Sequence, residues 1–221
     1  MVGPEGRGGQ QVWWLVDKAV TSWVMTHPST IEQVARKFFQ GRYHAAARTL
    51  RRLRKRKRAR IPYLNVLHAD RDGRPQYQYA GYDVGNADEH EYLLTEFAIA
   101  LPGGDWVRGP KVGKRRPDGE WNPGVFCNVE MDTGRESEAQ FRDRMDSYRG
   151  CQDPLLIVVH NADSPDQTAK RVMRLMAWGE AVDRIALYVS LDEIRRKGWD
   201  AQWADGGGKA ISLKTILQRR P

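Results

Sequence analysis

The sequence predicts an α/β (α+β) chain of two units: a basic helical domain closed by a β-hairpin, then a mixed sheet flanked by helices. Three observations predict it. Charge is divided unevenly: residues 1–85 carry 16 Lys and Arg against 6 Asp and Glu, while residues 86–221 carry 20 against 22, so the net charge of +8 lies in the first part. Apolar spacing in that part follows the helical period until two strand-like runs flank an Asp-Gly pair. From residue 86 onward, helical segments alternate with short runs rich in Val, Ile and Leu, the pattern of a sheet covered by helices. The expected division is a flexible, Gly-rich tail over 1–11, a basic domain over 12–85 and an α/β domain over 86–221.

The segment VWWLVDKAVTSWVMTH (12–27) is apolar on several faces and predicts a mostly buried first helix. In PSTIEQVARKFFQG, Ser29 and Glu32 stand at capping-box spacing, which predicts a helix start there. Ile31, Val34, Ala35, Phe38 and Phe39 form one apolar stripe, and Gly41 supplies the turn. Tyr43, Ala46, Leu50 and Leu53 give a third helix its core face, leaving His44, Arg48, Arg51 and Lys55 on the opposite side. Two strand-like runs follow, 61–69 and 75–84, around the turn signal Asp72-Gly73. Helix, helix, tight turn, basic helix and hairpin are the parts of an N-terminal winged helix-turn-helix.

The second part reads as a helix (86–101), three strands ending in GVFCNVEMDT, a helix with Phe141, Met145 and Tyr148 inward, the apolar strand 155–160, a helix with Pro165 in its first turn, and the strand 184–190. The segment DGGGK (205–209) is too isolated to be a phosphate loop. No role is read for the tail 201–221.

Eight of the ten residues in RRLRKRKRAR (51–60) are basic. Such a run points to a polyanion, double-stranded DNA first and an anionic membrane second. Arg42, His44, Arg48, Arg51, Arg52 and Lys55, with Arg71 and Arg74 at the hairpin tip, are the expected DNA contacts, through guanine edges or phosphates. A solvated helix face or a protein contact is the plainer alternative. No 18-residue apolar run or cleavable leader is present, and the two cysteines, Cys127 and Cys151, do not make a disulfide framework, which together predict a reduced cytoplasmic protein and no membrane partner.

A second candidate site lies in RRPDGEWNPGVFCNVEMDTGRE (115–136). Glu130 and Asp132, two apart on a strand, share a face, and a hairpin would bring Asp118 beside Glu130. Three converging carboxylates suit a hard divalent cation, Mg²⁺ or Mn²⁺, which would activate water and neutralise charge on a phosphate. Many metal-dependent nucleases place Glu-x-Lys on such a strand; here the Lys position is Asp132. Taken singly, PDG is ordinary turn chemistry and Glu-x-Asp an exposed strand edge.

A winged helix followed by PDG, a Glu-x-Asp strand end with TGRE, and a helix carrying RMDSY resembles the replication-relaxation family of bacterial plasmids and related mobile elements, over about residues 13–190. That resemblance implies a second half similar to the PD-(D/E)XK restriction-endonuclease fold, and roles for Asp118, Glu130, Asp132 and Glu136. The family's Lys on the following helix, four residues before a Tyr, is Arg144 here, with Tyr148 after it. Arg binds phosphate but stays charged, so it is a far poorer proton donor or acceptor than Lys. His90 matches a His common in the family, and a core histidine is its plainer reading.

Three functions follow as expectations. The first is DNA binding in plasmid or mobile-element replication or relaxation, alongside replication or mobilisation proteins and with homodimeric symmetry suited to an origin, the nuclease-like half being inactive. The second is a metal-dependent DNA endonuclease, a hydrolase with Asp118, Glu130 and Asp132 as ligands and Arg144 as phosphate clamp. The third is a winged-helix transcription regulator whose second half senses a ligand.

Overall fold

The computed structural model describes residues 5–55, 65–66, 78–80, 89–101, 103–107, 117–160, 164–179, 186–213 and 215, the side chains of 5–12, 54–55, 65–66 and 78–80 aside. The expected turn at Asp72-Gly73, the hairpin residues Arg71 and Arg74, and the Lys55 side chain lie outside the described residues. Backbone contacts divide the chain into two compact units, Met1–Thr95 and Glu96–Pro221. Among the described residues no helix is long and apolar enough to cross a membrane.

In the first unit, α1 (Glu5–Thr26) begins within the segment expected to be a flexible tail. Extending an established helix adds one hydrogen bond per residue fixed and avoids the nucleation penalty, which lets it run into the Gly-rich leader. Strand β1 (Ser29–Thr30) leads into α2 (Ile31–Phe38). The cap is Thr30, whose hydroxyl accepts from the Gln33 amide at 3.2 Å while Gln33 Oε1 accepts from the Thr30 amide at 2.9 Å. The segment STIEQ holds two pairs at the same spacing, and the second is used. Ser29 is committed elsewhere, accepting from Trp23 Nε1 at 2.9 Å and donating to the His27 carbonyl at 2.7 Å.

Ile31, Val34, Ala35 and Phe39 pack with Val20 and Val24 of α1 and with Ala46, Ala47, Leu50 and Leu53 of α3 (Tyr43–Lys55). Between α2 and α3 the chain reverses through Gln40 and Gly41, at φ +52° and +79°. The Gly41 amide closes the turn on the Ala35 carbonyl at 2.9 Å. Tyr43, expected in the core, is 42 % exposed and lies edge-on to His44, because the inward stripe starts one turn later at Ala46. A small sheet completes this unit: β3 (Gln78–Ala80) lies between β1 and β2 (Asn65–Val66), antiparallel to both.

Helix α4 (Glu89–Ala100) runs across the division between the units. The second unit then holds β4 (Asp105–Val107), β5 (Gly119–Asn122), β6 (Cys127–Asp132), α5 (Glu138–Ser147), β7 (Leu155–Val159), α6 (Pro165–Gly179), β8 (Ala186–Ser190), α7 (Leu191–Lys197), β9 (Gln202–Asp205) and β10 (Ala210–Ser212). Among the described residues its seven strands form one mixed sheet, ordered β10-β9-β8-β7-β6-β5-β4. The pairs β6–β7 and β7–β8 are parallel and the others antiparallel. Strand β7 is wholly apolar because it lies between two neighbours and is buried along its length. On one face α5 supplies Phe141, Met145 and Tyr148 against Leu155, Ile157 and Val159, with Leu175 from α6 and Tyr188 from β8.

Gly119, the Gly of PDG, is needed for a close approach: a Cβ there would meet the Trp106 ring at 2.2 Å. The segment left without a role contributes β9 and β10, and Trp203 of β9 is fully buried. DGGGK is the turn between these strands, with Asp205 Oδ1 accepting from the Gly207 and Lys209 amides at 3.0 and 2.8 Å.

Candidate functional site

Two candidate sites can be built from the residues upward, one in each unit. In the first, α3 turns Ala46, Ala47, Leu50 and Leu53 inward and leaves His44, Arg48 and Arg51 exposed. Arg42, at the start of the helix, is exposed and donates Nε to the Phe39 carbonyl at 3.1 Å, so it closes the turn while presenting the rest of its guanidinium outward. Arg52 departs from the expected DNA-contacting set. Its guanidinium forms a salt bridge with Asp17 of α1, where Nε meets Oδ2 at 3.2 Å, and lies over the Trp13 ring. Arg52 lies one position, about 100°, around the helix from Arg51, which turns it toward α1.

The second site lies at the end of β6. Glu130 and Asp132 are each 2 % exposed, since β6 is an inner strand buried at every position, not the exposed edge of the plainer reading. Asp118 stands one step beyond the Gly119–Val129 pairing and accepts the Met131 amide on Oδ2 at 2.8 Å. Asp118 therefore stands near enough to Glu130 for its charge to act on that carboxylate, and the helices covering the sheet bring two arginines to the same strand end.

Arg144 of α5 turns inward. Its Nη1 lies 3.3 Å from Glu130 Oε2, and its Nη2 lies 3.6 Å from Asp132 Oδ2 and 2.5 Å from Glu136 Oε2. The Glu136 contact is an ion pair at an angle too steep for a hydrogen bond. Arg171 of α6 grips Asp132 with both prongs, Nε to Oδ1 at 3.0 Å and Nη2 to Oδ2 at 2.9 Å, and also reaches the Glu136 carbonyl at 2.8 Å. Tyr148 donates its hydroxyl to Glu130 Oε1, and the Gly134 amide donates to Asp132 Oδ1 at 2.8 Å.

The electrostatics follow from this arrangement. Burial, then the neighbouring Asp118 charge, push the Glu130 pKa up to about 7, with Arg144 and the Tyr148 hydroxyl opposing them. Burial works against the Arg144 charge, but Glu130, Glu136, Asp132 and Asp118 outweigh it and hold its pKa above the ordinary value. The Tyr188 hydroxyl is raised to about 12 by burial, partly offset by Arg144.

Arg144 is therefore not a clamp turned out toward a phosphate, and its side chain is 6 % exposed. A cleft of about 420 Å³ opens over this end of the sheet, lined by Met131, Asp132, Thr133, Arg135, Glu136, Gln140, Asp143 and Arg144. A divalent cation does not fit the cluster as it stands. Among the described residues no three Asp, Glu, His or Cys side chains are arranged to hold one, and guanidinium groups already occupy the oxygens that face one another. His90 is half-buried on α4 within the first unit.

Sequence reasoning missed Arg171 altogether and the hydrogen bond of Tyr148. A signal for Arg171 was available: with Thr168, Leu175 and Gly179 it falls on the buried stripe of α6, where an Arg needs a carboxylate. Comparison with protein-family models, with curated proteins and with solved structures finds no match for this chain.

Proposed function

We propose that this chain is a DNA-binding protein of plasmid or mobile-element replication or relaxation, in which the first unit grips duplex DNA and the nuclease-like second unit does not cut. The observation that carries the reading is the outward face of α3, where His44, Arg48 and Arg51 are exposed on the helix that follows the Gln40-Gly41 turn. The helix order, with β1 between α1 and α2 and a sheet ordered β1-β3-β2, suits a winged helix, whose third helix enters the major groove. The order α4-β4-β5-β6-α5-β7, with an antiparallel meander passing into parallel strands, suits a PD-(D/E)XK-like core. The assignment to replication or relaxation rests on the resemblance of the sequence motifs, as does partnership with replication or mobilisation proteins.

Phosphate neutralisation makes affinity fall with salt, by a slope of about 0.9 per contact made. The test is fluorescence anisotropy of a mixed-sequence duplex against salt, for the wild type and Arg48→Ala/Arg51→Ala. The double variant is expected to bind more weakly and to reduce the slope by roughly 2, if both side chains contact phosphates. An unchanged affinity and slope would remove α3 from the interface. The endonuclease reading is favoured by the convergence of Asp118, Glu130 and Asp132, and opposed by the arginines that neutralise them.

A further inference from the structure

We infer that Arg144 stands in for the divalent cation expected of a nuclease-like strand end, so that the native cluster takes no metal and removing this one side chain opens a hard-cation site. Three carboxylates within seven residues converge on its guanidinium, Glu130 and Asp132 from β6 and Glu136 from the loop before α5, at 3.3, 3.6 and 2.5 Å. Mg²⁺ holds carboxylate oxygens at about 2.0–2.1 Å and Mn²⁺ needs similar oxygen ligands, so an ion among these three would have to lie within the space the guanidinium fills. Positive charge already there repels a second cation.

The other donors strengthen the case. Arg171 takes both oxygens of Asp132, Tyr148 takes the second oxygen of Glu130, and the Met131 amide takes Oδ2 of Asp118. These bonds hold Asp132, the second oxygen of Glu130 and one oxygen of Asp118 in place, and Arg144 is the cation set against Oε2 of Glu130 and Oε2 of Glu136. Without Arg144, the inward oxygens of Glu130 and Glu136 lose their guanidinium while Arg171 still holds Asp132. Asp118, Glu130 and Glu136 then offer hard oxygen donors with one fewer positive charge among them. The cleft beside Glu136 gives an ion and its waters a way in. The inference concerns the second unit alone and stands whether or not the first unit binds DNA.

The experiment is a calorimetric Mn²⁺ titration of the full chain as wild type, Glu130→Gln, Arg144→Ala and Arg144→Ala/Glu130→Gln, with thermal unfolding of each at the same Mn²⁺ concentrations. The expected result is no saturable binding by the wild type. One saturable site in Arg144→Ala is expected, with an upward shift of its Tm, and both are lost when Glu130→Gln is added. Wild-type binding that Glu130→Gln abolishes would overturn the inference, as would a folded Arg144→Ala that binds no Mn²⁺. Binding that survives Glu130→Gln lies elsewhere and counts as none at the cluster. If Arg144→Ala folds only with Mn²⁺ present, the inference is upheld. If it does not fold at all, the wild-type and Glu130→Gln titrations decide.

Discussion

Replacing Arg171 by Met tests whether the carboxylate cluster holds the second unit together. The change keeps an apolar stem of similar length but removes two hydrogen bonds to Asp132 and one to the Glu136 carbonyl. Arg171 and Asp132 have side chains 6 % and 1 % exposed, so the carboxylate cannot recover its hydration in the folded state. Breaking a buried pair from one side costs about 3–5 kcal/mol. Asp132 keeps the Gly134 amide at 2.8 Å and Arg144 at 3.6 Å, which moves the expected cost to the lower end, about 3 kcal/mol. Loss of the guanidinium over Trp178, 5.0 Å from the ring centroid, adds a smaller amount.

Because the chain has two units, a single global transition is a poor readout. Amide hydrogen exchange of Ile157 and Val158 in β7 reports opening of the sheet locally. A loss of about 3 kcal/mol is an acceleration of roughly a hundredfold. Adding Asp132→Asn to Arg171→Met should restore part of the protection, because the uncompensated charge goes with its partner. Exchange at the wild-type rate in Arg171→Met would refute the argument, and so would a double variant whose losses simply add.

Two further outcomes follow from the geometry. Glu130 has a folded-state pKa raised from 4.5 to about 7, so the native state holds a proton that the unfolded chain has released. Its stabilisation is complete below 4.5 and disappears as pH rises through about 7, with a slope of at most ~1.4 kcal/mol per pH unit. Urea unfolding of wild type and Glu130→Gln at several pH values should show the wild type losing stability relative to the variant over that window; parallel profiles would place the titration elsewhere. Thr30→Ala should lower the stability of the first unit by about 1 kcal/mol in urea unfolding, through loss of its hydroxyl from the Gln33 amide. A neutral result would mean that the cap is not at Thr30.

Much of the fold was legible because it follows from periodicity. The apolar stripe of α2, the inward residues of α3 and α5 and the buried run of β7 are all spaced as their elements require. The strands of the 201–221 segment were not legible because each is only three or four residues long, and DGGGK shows itself as a hairpin turn only once they pair. The cap of α2 was misplaced because two capping-box pairs overlap in STIEQ, and only the tertiary bonds of Ser29 decide between them. At the site, the three carboxylates were legible from strand alternation and the preceding turn. Their partners were not, because Arg171 lies 39 positions from Asp132 and meets it only when α6 packs on the sheet.

The inward stripe of α5 shows how charge and packing are coupled here. Phe141, Met145 and Tyr148 are core residues, and Arg144 falls on the same buried face. An arginine on such a face must find carboxylates, just as Glu130 and Asp132 on an inner strand must find cations. Each set makes the burial of the other tolerable, so neither is free to serve an external ligand without opening the structure. A metal-dependent site needs the opposite arrangement: carboxylates whose charge is left uncompensated until the ion arrives, with room for its waters. That requirement places the weight of the difference on the residue α5 delivers to the end of β6. It also separates two pairs of arginines by what surrounds them. Arg144 and Arg171 are consumed by internal carboxylates, whereas Arg48 and Arg51 are exposed on α3, and only side chains of the second kind can neutralise a DNA phosphate without breaking a buried pair.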